Sequence, residues 1–115
     1  MKSAPTRRSA LAGAVASATA LALGLARQVD AAPFVHDVRI TRFAFDPARV
    51  QVRVGDTIRW RNEDLAPHTA TANDFGWDTG EMAQGDVRDV PVTADMETVY
   101  FCVFHSHMMG KLEIL

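Results

Sequence analysis

The chain has 115 residues, 48% of them hydrophobic and 23% charged, an ordinary composition for a folded protein and room for one domain. A formal net charge of −2 leaves no basic surplus for a polyanion, which argues against nucleic-acid binding. The single cysteine excludes an intrachain disulfide.

In chain order, Met1–Ser9 comes first, with Lys2, Arg7 and Arg8 and no acid, followed by the uncharged, small-residue stretch Ala10–Ala26. Val29 and Ala31 then fit the small-residue positions of a signal-peptidase site. These three parts predict a secretory signal peptide over residues 1–31. Arg7-Arg8 suggests the twin-arginine route, although Ala10 stands where that route's usual phenylalanine would be. An uncleaved membrane anchor is the alternative, but the 17 mostly small residues of Ala10–Ala26 fall short of the about 20 strongly apolar ones that a span needs. Cleavage after Ala31 leaves a domain over residues 32–115 with no membrane span, carrying 8 of the 12 Lys and Arg and 13 of the 14 Asp and Glu, a net −5. A domain that small, without a disulfide, gains from a bound ion.

From Pro33 onward the apolar residues alternate rather than follow a helical period. His36 has no partner in sequence and reads as a solvated strand position. Phe43 and Phe45 alternate before Asp46-Pro47, and Val50, Val52 and Val54 alternate with Gln51 and Arg53. Gly55-Asp56 then reads as a hairpin turn into the Ile58 and Trp60 run. Asn73–Gly85 is a polar loop, with Trp77 as its anchor, Trp60 in the core and Met82 as a packing or loop residue. Val90 and Val92 flank Pro91, which places that stretch at an edge or a bulge. Asp86, Asp89, Asp95 and Glu97 read as solvated carboxylates with no acid–base spacing. Val99–Phe104 is continuously apolar, as in a strand covered on both faces. Leu112 and Ile114 close the pattern by alternating with Lys111 and Glu113. About six or seven short strands with frequent turns predict an all-β sandwich or barrel.

The chemistry gathers in two places. One is His68, after Pro67. The other is Cys102-Val103-Phe104-His105-Ser106-His107-Met108-Met109. A thiolate, two imidazoles and a thioether suit copper, which accepts soft sulfur as Cu(I) and imidazole as Cu(II). Cys102 at a strand end and His105 three residues on can converge from one loop, and Met108 can close over the ion. His68 must come from a distant strand, so the fold itself completes the set. Met109 is the alternative axial residue, with Met108 favoured by loop length; His107 reads as a surface ring near the metal. A buried structural thiol is the other reading of Cys102, but an unpaired cysteine in an oxidising compartment calls for protection or a use.

With these residues in view, the segment after the leader resembles the cupredoxin (type 1 blue copper) family, in particular its amicyanin, pseudoazurin and plastocyanin group. Cys102-x-x-His105-x-x-Met108 followed by Gly110-Lys111 resembles the family's short ligand loop, Pro67-His68 its upstream ligand, and Val54–Asn62 the run before that ligand. The resemblance implies a small Greek-key β-sandwich binding one copper through His68, Cys102, His105 and Met108. It implies a periplasmic monomer, not an enzyme, that passes single electrons between a donor and an acceptor redox protein. The edge of His105 would lie near an apolar patch lined by Phe104, Met109 and Pro67. A protein for copper storage, delivery or resistance is the alternative, suited by the Met108-Met109 pair and His107. Two departures stand out. Thr69 replaces a frequent asparagine; its backbone N–H can still donate to the thiolate, and its side chain makes a shorter tie between the ligand loops. Phe104 stands where relatives often have proline.

Overall fold

Alternation of apolar and polar side chains resolves into eight strands, and no helix forms, in the computed structural model, which describes residues 32–115. The signal peptide read over residues 1–31 lies outside the described residues. The strands are β1 (Val35–Thr41), β2 (Ala44–Asp46), β3 (Arg49–Val52), β4 (Thr57–Asn62), β5 (Thr71–Ala72), β6 (Val87–Pro91), β7 (Val99–Cys102) and β8 (His105–Ile114). One sheet has the order β2-β1-β4-β6 and the other β3-β8-β7-β5. The pairs β1–β4 and β3–β8 are parallel and the rest antiparallel, so both sheets are mixed.

The inward residues of both sheets make one core, with Val38 and Ile40 of β1 and Ile58 and Trp60 of β4 meeting Tyr100 of β7 and Leu112 of β8. Trp77 reaches from its loop to stack on Trp60 at 5.5 Å, and Tyr100 sets its edge against Trp60 at 5.4 Å. Aromatic pairs of this kind add about 0.5–1.5 kcal/mol each beyond the area they bury. Opposite Tyr100 in the β7–β8 register is Gly110, where any Cβ would collide with the phenol ring.

The all-β sandwich is as the alternation predicts, and Pro91 ends the edge strand β6 as expected. Other expectations need correction. Gly55-Asp56 is a turn, with Gly55 at φ 98°, but not a hairpin, because β3 and β4 belong to different sheets. The Asp56 carboxylate explains the crossing: it accepts the amides of Arg53 and Phe34 and meets His36 Nε2 at 2.8 Å, tying the turn to the start of β1. His36 is therefore a paired, half-buried residue rather than a solvated one, and Val54, beyond the end of β3, is exposed. Val99–Phe104 is not one covered strand either. Its buried residues are Tyr100 and Cys102, and the strand ends there, leaving Val103 and Phe104 exposed in the turn to β8. Glu97 and Asp89 are also more than solvated carboxylates. Glu97 accepts the amides of Asp74 and Gly76, and Asp89 forms a bidentate pair with Arg59 across β4–β6.

Candidate metal centre

The site is built at the end of the sandwich where β7 turns into β8. Cys102 closes β7 and His105 opens β8, paired across a turn of two residues. His68 arrives from the β4–β5 connection, which a buried asparagine shapes. Asn62 Nδ2 donates to the carbonyls of Ala66 and Met82, both at 2.9 Å, while its Oδ1 accepts the Asp64 amide at 2.9 Å. The His68 backbone is then fixed by two hydrogen bonds with Met82, 3.1 Å to its carbonyl and 2.8 Å from its amide.

This brings His68, Cys102 and His105 together, with one donor atom of each within 4.8 Å of the others. Cys102 Sγ lies 3.7 Å from His68 Nδ1 and 3.8 Å from His105 Nδ1. A borderline first-row ion bonds thiolate sulfur at about 2.3 Å and imidazole nitrogen at about 2.0–2.1 Å, which at a trigonal angle separates sulfur from nitrogen by roughly 3.7–3.8 Å. Both sulfur–nitrogen separations fit such an ion.

Surrounding groups orient each donor. His68 is fully buried, and its Nε2 meets Asp64 Oδ2 at 2.9 Å. A carboxylate accepts, so Nε2 carries the proton and Nδ1 presents its lone pair toward Cys102. Burial works against ionisation of Asp64, but the amides of Phe43 and Arg42 and the His68 ring outweigh it and hold that carboxyl below its ordinary value. At the sulfur, the Thr69 amide donates to Cys102 Sγ at 3.4 Å. The Thr69 hydroxyl accepts the Val103 amide at 3.0 Å, so Thr69 supplies both the backbone donor and the short tie expected of it.

Alternation along β8 separates the two methionines. Met108 is buried in the core cluster that contains Cys102, whereas Met109 faces solvent. His107 is exposed, its ring 6.3 Å from that of His105. Met82 packs in the core as expected, but its backbone role at His68 has no signature in the sequence. Phe43 and Asp64 were also missed. Phe43 reaches the histidines only through the fold, and a carboxylate four residues before a loop histidine has no regular geometry from which to predict a contact.

No protein-family model matches the chain. Solved structures do. A Cu(I) form of an amicyanin variant is 25% identical over 76% of this chain and 88% of that one, with a TM-score of 0.64. A purple cupredoxin from Nitrosopumilus maritimus is 19% identical over 70% of this chain and 99% of that one, with a TM-score of 0.62. A copper-containing nitrite reductase from Thermus scotoductus is 24% identical over 73% of this chain but only 22% of that one, with a TM-score of 0.64. Residues 32–115 thus form a β-sandwich of the cupredoxin-like fold, with His68, Cys102 and His105 positioned to form a type 1 copper site.

Proposed function

We propose that the protein is a periplasmic type 1 copper protein that carries single electrons between redox partners and turns over no substrate itself. The observation that carries this reading is the convergence of one thiol and two imidazole Nδ1 atoms at 3.7 and 3.8 Å. His68, Cys102 and His105 would hold the ion, and Met108, buried in the core cluster that contains Cys102, would be its fourth ligand. Copper supplies the one-electron change between Cu(I) and Cu(II). The protein's part is to keep the donors in one arrangement that suits both states. Asp64 fixes the His68 ring, the Thr69 amide bonds the sulfur, and burial of His68 and Cys102 excludes water.

Electrons would enter and leave past His105, the partly exposed ligand, beside the exposed turn residues Val103 and Phe104. Such encounters are small and transient. A net charge of −5 after removal of residues 1–31 favours a partner with a basic docking face. The leader itself supports export, and a monomer suffices because one chain provides the full donor set. The test is Cu(II) titration followed by visible absorption. One equivalent is expected to raise an intense thiolate-to-copper band that Cys102→Ser abolishes; a native protein without that band sinks the reading. Met108→Leu is expected to shift the reduction potential, and Met109→Leu to leave it unchanged.

Exposed His107, its ring 6.3 Å from that of His105, favours one second reading, copper storage or delivery. Repeated redox cycling separates the two: a carrier retains its copper, and a delivery protein yields it to an acceptor protein.

A further inference from the structure

The turn from β1 to β2 is strained. Arg42 and Phe43 have φ values of 53° and 58°, in the left-handed region that bulky residues rarely occupy and that two-residue hairpin turns usually fill with Asn-Gly or Asp-Gly. One carboxylate holds the strain. Asp64 Oδ1 accepts the Arg42 amide at 2.8 Å and Oδ2 the Phe43 amide at 2.9 Å. The same Oδ2 meets His68 Nε2, so a single side chain ties the turn to a ligand ring.

The product of this arrangement is the placement of one ring. Phe43 sets its ring nearly perpendicular to both imidazoles, with centroids 5.1 Å from His68 and 4.7 Å from His105. It remains 43% exposed, so it meets the histidines on one side and water on the other. A glycine at this position would relax the backbone and lose the ring. Strain retained where an ordinary turn residue would relieve it points to a role for the side chain.

We propose that Phe43, locked by Asp64, is a cover over the histidine side of the centre that bars small anions and chelators from the ion and steadies the His105 ring. This rests on the copper reading above. Phe43 is a positioning residue: it acts on His105 and on access, and donates no ligand.

The experiment compares native protein with Phe43→Ala, Phe43→Leu and Asp64→Asn. It follows copper loss to excess EDTA, spectral response to azide and, on metal-free protein, the NMR shifts of the His105 ring. Phe43→Ala is expected to lose copper at least about tenfold faster and to gain an azide response, with Phe43→Leu intermediate. The double variant Phe43→Ala/Asp64→Asn is expected to lose copper no faster than Asp64→Asn, because linked residues are not additive. In the metal-free protein the His105 ring shifts are expected to move in Phe43→Ala while those of buried Tyr100 stay. Native rates of copper loss in Phe43→Ala, or unmoved His105 shifts, overturn the proposal. Failure of the native protein to form the visible band overturns the copper reading instead, and the metal-free measurement still judges the contact.

Discussion

Thr69 shows how much one hydroxyl can organise. It accepts the Val103 amide, and it meets the Thr71 hydroxyl at 2.8 Å, which donates to Asp78 at 2.8 Å. Since Thr71 gives its proton to Asp78, Thr69 must give its own to Thr71, and the chain of donors has one direction, from the ligand turn to the loop carboxylate. Every member is satisfied, which is the condition under which a buried polar network stabilises. Thr69→Val keeps the shape but strands the Val103 amide and the Thr71 oxygen. It is expected to lower stability by about 1–3 kcal/mol, measured by urea unfolding of the metal-free protein. Thr69 itself was legible as a tie between the ligand loops. The onward links were not, because Thr71 and Asp78 meet only when the loop after β5 folds back.

Among the elements, the β7–β8 hairpin matters most, since it carries Cys102 and His105 at its tip and the Tyr100–Gly110 pair farther down. Gly110→Ala would force Tyr100 out of its place among Phe45, Trp60 and Trp77. Overpacking of this kind costs about 1–3 kcal/mol, and urea unfolding with near-UV circular dichroism as a probe of the aromatic cluster is expected to show it. The spacing of Cys102, His105 and Met108 was legible because a hairpin tip is local: three residues apart is enough to predict convergence. His68 was legible only because its chemistry matched the distant cluster. What stayed hidden depended on which sheet a strand joins. The Val50–Val54 and Ile58–Trp60 runs look like a hairpin from their alternation and the glycine between them, yet the Asp56 contacts to β1 send them into opposite sheets. Phe43 reads as one of an alternating pair in the sequence, whereas in the turn its amide donates to a carboxylate on another connection.

Taken as a whole, the molecule leans on ionised carboxylates that join its strands and turns. The His36 ring, the Arg53 amide and the Phe34 amide hold the Asp56 carboxyl below its ordinary value of 3.8, against the opposing effect of burial. Arg59 does the same for Asp89 and Arg39 for Glu63. A carboxyl whose value falls on folding adds stability that is fully present above the unfolded value and is lost as pH drops through the folded one. For Asp56 the window therefore opens near 3.8 and extends downward. Urea midpoints of native protein and Asp56→Asn are expected to differ at neutral pH and to converge below that value; a constant gap would show that Asp56 does not set the acid limit. The pairs Arg39–Glu63 and Arg59–Asp89 lie on the surface, where solvent screens such contacts and they add little.

The position of β8 has one last consequence. It lies between β3 and β7, and its pairing with β3 joins segments separated by most of the described chain. Long-range pairings of this sort form slowly. Since β8 is also the eighth strand in order of synthesis, β3 has no partner in the second sheet until almost all of the described chain exists. The timetable of biosynthesis is written into that arrangement: manufacture of the polypeptide comes first, and the second sheet is assembled only afterwards.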